Sequence, residues 1–169
     1  LANRGLTHID PVRRFLCPAL SHLPDPGLMK GMPEAVSRIL QAIRKNEKIT
    51  LYGDYDVDGT TALAVLTLFL KGAGAQVDFY VPHRLEEGYG LNLKALRRIR
   101  EEKTRLLITV DCGVSSHDEI RWAMENDLEV IVTDHHEVPE TLPPALAVIN
   151  PKQKDCPYPF KSLAGVGVA

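Results

Sequence analysis

The chain has 169 residues, of which 44% are hydrophobic and 25% are charged, a composition typical of a folded globular domain. Its 20 basic residues are balanced by 22 acidic ones, which excludes a protein that coats nucleic acid with a chain-wide basic surface. No apolar stretch reaches the roughly 18 residues that a membrane span requires. Cys17, Cys112 and Cys156 are odd in number and form no C-x-x-C pair, which argues against a disulfide framework and predicts a cytoplasmic protein.

The predicted elements alternate between helices and strands along the chain. After a proline-rich stretch, apolar residues at helical spacing predict an amphipathic helix over Pro33–Lys45. The predicted strands are 49–52, 77–81, 106–110, 130–133 and 146–149. The further predicted helices are 60–71, 92–103 and 116–126, the last with Ser116 and Glu119 as a capping box. This pattern predicts an α/β fold, a parallel twisted sheet of about five strands with helices on both faces.

Two parts of the chain are distinguished by this pattern. Residues 1–47 are expected to form a short helical segment that packs on the core, and residues 48–169 are expected to form the α/β domain. The last residues, Leu163 to Ala169, have the pattern of the first turns of another helix. We therefore expect the domain to be truncated at its C-terminal end.

Acidic residues and histidines follow three of the predicted strands. The set is Asp54, Asp56 and Asp58 after the first strand, Asp111 after the third, and Asp134, His135 and His136 after the fourth. Because the carboxyl ends of parallel strands meet at one edge of a sheet, we expect these side chains to lie close together. Carboxylate and imidazole ligands without cysteine suit Mn²⁺ or Mg²⁺ better than structural zinc.

The aspartates after the first strand occupy alternate positions. On an extended backbone Asp54, Asp56 and Asp58 would point the same way, and such crowding of like charge is unfavourable unless a cation neutralises it. With Gly59 they match the first half of an EF-hand loop, but the twelfth position, which requires Glu, is Val65. An EF-hand is therefore excluded, and a polar turn without metal remains the alternative interpretation.

The predicted ligand set indicates a class of chemistry. Carboxylates that hold two ions roughly 4 Å apart are typical of in-line hydrolysis of phosphoesters, in which the ions activate a water. The sequence contains no Walker loop, no G-x-G-x-x-G after the first strand and no G-x-S-x-G elbow. Asp111 alone could equally be a turn residue, and adjacent histidines at a turn are usually solvated. Only their conjunction at one edge predicts a hydrolytic metal centre.

The motifs resemble those of the DHH phosphoesterase family. The run Asp134-His135-His136 is similar to the triplet that names this family. The first two motifs of the family resemble the segments Asp54 to Gly59 and Val110 to Gly113. The segments Pro82 to Asn92 and Cys156 to Lys161 are most similar to the RecJ group within it.

This resemblance implies an activity and a set of residue roles. It implies a single-strand-specific 5′-to-3′ DNA exonuclease of repair and recombination that depends on Mn²⁺ or Mg²⁺. The implied metal ligands are Asp56, Asp58, Asp111 and His135. The implied catalytic groups, as further ligands or as groups that orient ligands, are Asp54, Asp134 and His136. Single-stranded DNA is the implied substrate of a monomer without membrane contact, with a single-strand-binding protein and a helicase as expected partners.

The loop after the second predicted strand provides candidates for contact with substrate. Arg84 is the candidate for binding a phosphate, and a surface ion pair with Glu86 or Glu87 is the alternative interpretation. His83 and Tyr89 are candidates for stacking on a base, and a packing role is the alternative for both.

Two departures from the family pattern leave alternatives open. Many relatives have a histidine four residues before the middle aspartate of the first motif, and Tyr52 occupies that position here. The fourth motif of the family, its DHHA1-type domain and an OB-fold are expected outside these 169 residues. The alternatives are a related enzyme that degrades nanoRNA, cyclic dinucleotides or pyrophosphate, and a catalytically incomplete binding module. A manganese pyrophosphatase would require the histidine that Tyr52 replaces.

Overall fold

The computed structural model describes the backbone of residues 1–169 and the side chains of residues 1–19 and 21–169. The strands are β1 (Ile49–Gly53), β2 (Val77–Tyr80), β3 (Leu106–Val110), β4 (Glu129–Thr133) and β5 (Ala147–Ile149). The α-helices are α1 (Ile9–Leu16), α2 (Met32–Arg44), α3 (Val57–Gly72), α4 (Leu93–Glu101), α5 (His117–Glu125) and α6 (Gly165–Val168). Short 3-10 turns cover Ala2–Arg4, Leu20–His22 and Pro26–Leu28.

The five strands form one parallel sheet in the order β2-β1-β3-β4-β5. The predicted fold class is confirmed. In this doubly wound order the chain adds β2 on one side of β1 and every later strand on the other side. A crevice therefore opens between the carboxyl ends of β1 and β3, the position where ligands bind in such sheets.

Both faces of the sheet are covered, which explains why its central strands are almost continuously apolar. Leu51 and Ile108 point into the core formed with α2, α3 and α6. The neighbouring residues Tyr52 and Leu107 point into the second core, formed with α4 and α5. Each face thus has its own apolar core, and the edge at the strand ends is left for polar residues.

Helix α3 begins earlier than the sequence pattern predicts. It begins at Val57, with Asp56 as its N-cap, and the Asp56 carboxylate accepts a hydrogen bond from the Gly59 amide at 2.9 Å. The expectation of an extended backbone from Asp54 to Asp58 is therefore wrong, because Asp58 lies in the first helical turn. Gly59 packs so tightly on Asp54 that a Cβ there would lie 2.8 Å from the Asp54 Cβ.

The predicted capping box of α5 is also wrong. Ser116 is the N-cap residue, but its side chain makes no capping hydrogen bond. Its backbone has φ −86° and ψ 60°, and is not in the extended conformation that aims an N-cap hydroxyl at the third helical amide. Helix α4, by contrast, is capped by Asn92, whose Oδ1 accepts from the Ala95 amide at 2.8 Å.

The segment that precedes the sheet is packed unevenly. Helix α1 buries none of its residues, whereas α2 contributes Ala35 and Ala42 to the first core. Arg38 of α2 is buried and pairs at 2.6 Å with both Glu47 and Glu129. Within the described chain, no helix is both long enough and apolar enough to cross a membrane.

Candidate metal centre

Three buried aspartates line the edge of the sheet where β1, β3 and β4 end. Asp54 follows β1, Asp111 follows β3 and Asp134 follows β4, and none is more than 5% exposed. Burying an ionised carboxylate is costly unless hydrogen bonds or a cation compensate for the lost hydration. The partners of these three carboxylates therefore decide what this edge can bind.

The potential ligand atoms form two overlapping groups. Carboxylate oxygens of Asp54, Asp56 and Asp111 lie within 4.8 Å of one another. Ligand atoms of Asp111, His135 and His136 also lie within 4.8 Å of one another. Since Asp111 belongs to both groups, these residues would suit two neighbouring cations.

Asp111 is the residue whose environment most clearly fits a cation. Its φ of 61° lies in the left-handed region, which few non-glycine residues adopt. Its buried Oδ1 has no hydrogen-bond partner with suitable geometry, although His135 Nε2 lies 3.0 Å away. Burial, and after it the charges of Asp58 and Asp56, raises the pKa of Asp111 from 3.8 to about 7. A divalent cation would satisfy the oxygen and restore the ionised form.

Asp134 belongs to neither of the two ligand groups, and its carboxylate instead orients the histidine pair. Its Oδ2 accepts from the Val114 amide at 2.9 Å. Its Oδ1 accepts from the His135 amide at 2.7 Å and lies 2.7 Å from Nδ1 of His136. This contact assigns the proton of His136 to Nδ1 and leaves Nε2 as its acceptor nitrogen, a common arrangement for an imidazole ligand.

Asp58 is held by the beginning of α6. Its two oxygens accept from the amides of Gly165 and Val166, each at 2.7 Å, and Oδ2 lies 3.5 Å from His135 Nε2. Gly165 also packs directly on Asp111, so that a Cβ at this position would overlap the Asp111 carboxylate. Sequence reasoning assigned Gly165 only to the start of a helix between Leu163 and Ala169, and did not include it among the site residues. Its role depends on a contact that no local pattern predicts.

Asp54 is linked to Arg84 through Tyr55. The Asp54 Oδ1 accepts from the Tyr55 amide at 2.7 Å, and the Arg84 guanidinium lies 5.3 Å from the centre of the Tyr55 ring. Burial raises the pKa of Asp54, and the nearby charges of His136 and Arg84 oppose that increase. Tyr55 was not among the predicted site residues, although an aromatic residue inside an acidic motif is a possible partner for a cation.

The comparisons with known proteins agree with this geometry. The model of the DHH family, N-terminal domain, matches residues 48–169. The chain belongs to the DHH family. This DHH chain is 50% identical over 169 residues to the single-stranded-DNA-specific exonuclease RecJ of Bacillus subtilis, and it spans 22% of the length of that relative.

Solved structures of RecJ proteins share the fold of the DHH domain. The crystal structure of exonuclease RecJ bound to manganese matches with a TM-score of 0.75 and 42% identity, over 83% of this chain and 35% of that one. RecJ from Thermus thermophilus in complex with Mn²⁺ matches with a TM-score of 0.70 and 38% identity, over 90% of this chain and 21% of that one. The resemblance to the RecJ group is confirmed.

The predicted substrate residues lie in one loop of the DHH domain, and one of the three, Tyr89, contacts the centre. The Tyr89 hydroxyl lies 3.3 Å from Nδ1 and 3.5 Å from Nε2 of His136. Arg84 makes no salt bridge with either neighbouring glutamate among the described side chains, so its alternative interpretation is not supported. The His83 side chain is exposed, and it is the His83 amide that donates to Glu87 at 2.7 Å.

Tyr52 occupies the position where many DHH relatives have a histidine, but it points away from the centre. Its buried hydroxyl donates to the Gly90 carbonyl at 2.9 Å, and burial raises its pKa. Its ring stacks on Tyr80 with 5.3 Å between ring centres. In this DHH domain Tyr52 therefore supports the loop that carries Arg84 and Tyr89.

Proposed function

We propose that this DHH domain carries the hydrolytic metal centre of a single-strand-specific DNA exonuclease that acts 5′ to 3′ in DNA repair and recombination. The observation that carries the proposal is the pair of ligand groups that share Asp111 at the crevice between β1 and β3. Support comes from similar proteins, which are named single-stranded-DNA-specific exonucleases, and from similar structures, which contain manganese.

The residues of the centre fit Mn²⁺ or Mg²⁺ as the cofactor. The residues that would hold the ions are Asp54, Asp56, Asp111, His135 and His136. Asp58 remains a predicted ligand, and both of its carboxylate oxygens accept hydrogen bonds from the α6 amides. Two such ions supply an activated water and neutralise the charge that develops during in-line attack on a phosphodiester.

The other side chains would bind and orient the substrate. Asp134 keeps the proton of His136 on Nδ1, so that Nε2 stays available. Arg84, supported by the Tyr55 ring, would bind a phosphate of the strand. Tyr89, half-exposed beside His136, would stack on a base. His83 remains a predicted stacking residue.

The wider assignments are part of the same proposal. Single-stranded DNA would be the substrate of a monomer, with a single-strand-binding protein and a helicase as partners and no membrane contact. Cys17, Cys112 and Cys156 are free thiols, which supports a cytoplasmic location. The chain would divide into a helical segment, residues 1–47, and the DHH domain, residues 48–169.

The test is digestion of single-stranded DNA labelled at the 5′ end or at the 3′ end, with Mn²⁺ and with a chelator. A 5′-to-3′ exonuclease releases the 5′ label at once as a mononucleotide, whereas the 3′ label moves gradually through shorter products. Duplex DNA, short RNA, a cyclic dinucleotide and pyrophosphate serve as competing substrates. Asp56→Ala and His135→Ala remove one residue from each ligand group. Asp118→Ala, on the exposed face of α5, is the matched control.

We expect Mn²⁺-dependent release of the 5′ label, abolished in Asp56→Ala and His135→Ala and retained in Asp118→Ala. Preferential cleavage of RNA, a cyclic dinucleotide or pyrophosphate would replace the proposal with one of its alternatives. Binding of Mn²⁺ without cleavage of any substrate would favour the incomplete binding module for this chain. The same variants in a protein of the full length of its relatives would then show whether the activity requires further domains.

A further inference from the structure

The loop that connects β2 to α4, residues 81–92, contacts the metal centre although most of it is exposed. Its Tyr89 ring lies edge-on to the His136 ring, with 5.9 Å between the ring centres. Its Arg84 lies over Tyr55, while Leu85 at its tip is 89% exposed. Holding such a loop in one conformation costs conformational entropy, so specific interactions must offset that cost.

Glu87 makes the hydrogen bonds that close this loop. Its Oε1 accepts from the Tyr80 hydroxyl at 2.6 Å, and its Oε2 accepts from the His83 amide at 2.7 Å. Asn92 donates to Oε1 from its side-chain nitrogen at 3.4 Å. These bonds outweigh the effect of burial and hold the pKa of Glu87 below its usual value. One carboxylate thus joins the end of β2, the start of the loop and the residue that caps α4.

A second connection ties the far end of the loop to the sheet. The Tyr52 hydroxyl of β1 donates to the Gly90 carbonyl at 2.9 Å and accepts from Asn92 at 3.2 Å. Since the Tyr52 ring stacks on Tyr80, the two tyrosines form a continuous support beneath the loop. Along the chain, Tyr89 lies between His83, whose amide donates to Glu87, and Gly90, whose carbonyl accepts from Tyr52.

We propose that Glu87 is a positioning residue that holds Tyr89 against His136 and Arg84 over the Tyr55 ring, so that the 81–92 loop forms a preorganised contact surface for a DNA strand. The role in DNA contact rests on the proposed function. Neither Glu87 nor Tyr80 belongs to the two ligand groups. Loss of the Glu87 carboxylate should therefore weaken substrate binding without weakening metal binding.

Glu86 offers a matched control for Glu87. It is the preceding residue in the same loop, it is exposed, and within the described chain its side chain makes no hydrogen bond. Glu86→Gln and Glu87→Gln remove the same charge from adjacent positions. In Glu87→Gln, an amide group replaces the carboxylate that accepts from the Tyr80 hydroxyl and the His83 amide. Glu86→Gln replaces a carboxylate that accepts no hydrogen bond in the described chain. Tyr80→Phe removes the partner hydroxyl and completes a double-mutant cycle with Glu87→Gln.

The experiment combines kinetics with a structural measurement. We expect Glu87→Gln to raise the KM for single-stranded DNA about tenfold, as loss of a hydrogen bond to a charged group implies, with kcat and the Mn²⁺ dissociation constant within about twofold. Glu86→Gln should match the unmodified chain. Because Tyr80 and Glu87 act through one bond, the double variant should be no worse than Glu87→Gln alone. In the metal-free chain, the ring-current shift of the His136 Cε1 proton should fall in Glu87→Gln and remain in Glu86→Gln.

The outcomes separate this inference from the proposed function. If no form of the chain cleaves DNA, the proposed function fails, whereas the His136 proton shift still shows whether Glu87 positions Tyr89. If Glu87→Gln leaves that shift unchanged, the positioning role is wrong. If the shift is lost but KM stays the same in an active enzyme, the loop does not contact the DNA and the inference is overturned. Equal effects of Glu86→Gln and Glu87→Gln would overturn it as well.

Discussion

The candidate metal centre and the 81–92 loop touch at His136, but different interactions hold them in place. In the centre, Asp54, Asp111 and Asp134 are buried and directly follow strands of a parallel sheet. The loop is largely exposed and depends on a few side-chain hydrogen bonds, chiefly those of Tyr52 and Glu87. The comparison suggests that metal affinity and substrate affinity can be changed separately in this domain.

The largest effect is expected from a substitution inside the centre. Asp134→Asn replaces one acceptor oxygen of the carboxylate with an NH₂ group, which is a donor. The one oxygen that remains cannot accept from both the Val114 amide and His136. We expect Mn²⁺ affinity to fall about 10- to 100-fold, as when other groups that orient metal ligands are lost. Isothermal titration calorimetry measures the change, with Asp118→Asn as the exposed control. An unchanged affinity would mean that His136 is oriented without Asp134.

A smaller effect is expected from pH, because the centre must lose a proton to bind a cation. Burial raises the pKa of Asp111 from 3.8 to about 7. The free energy of unfolding of the metal-free chain should therefore decrease as the pH rises between these two values, because Asp111 ionises less readily in the folded chain. Cation binding requires the ionised form, and affinity should therefore increase about tenfold from pH 6 to pH 8 through this one group. Calorimetry with Mg²⁺ at both pH values measures the increase. A constant affinity would show that Asp111 is already ionised at pH 6.

The smallest change in metal affinity is expected from a substitution beneath the 81–92 loop. Tyr52→Phe leaves the buried Gly90 carbonyl without its hydrogen bond, which should lower the free energy of unfolding by about 1–2 kcal/mol. Urea denaturation measures this loss. Tyr158→Phe is the control, because Tyr158 is also buried but its hydroxyl makes no hydrogen bond in the described part of the chain. Mn²⁺ affinity should stay the same in both variants, and a decrease in Tyr52→Phe would contradict the separation of the two regions.

The strands were more predictable than the starts of the helices. The range predicted for β3, residues 106–110, is the observed one, because a run of apolar residues between polar ends leaves few alternatives for a buried strand. The start of α3 differs from the prediction because Asp56 caps the helix and so brings Val57 to Gly59 into it. Ser116 shows the opposite case, since a residue suited to capping adopts a backbone conformation that prevents it.

The candidate site likewise has a part that the sequence predicts and a part that it does not. Asp54, Asp111 and Asp134 could be assigned to one edge because each follows a strand and parallel strands end together. The contact between Gly165 and Asp111 could not be predicted, because the two residues are 54 positions apart in a chain whose local pattern indicates only a helix start. The interaction between Tyr55 and Arg84 likewise depends on how the loop folds back over β1.

The amino-acid sequence alone determined the order of strands and helices, the parallel sheet and the set of acidic and histidine residues at its edge. These properties follow from periodicities and strand ends, which are local. Only the tertiary structure decided which oxygens remain free for a cation, that Asp58 is bound by α6 amides, and that Tyr52 supports the loop and not the metal. Those outcomes depend on distances between segments far apart in the chain, and such distances are set when the two cores pack.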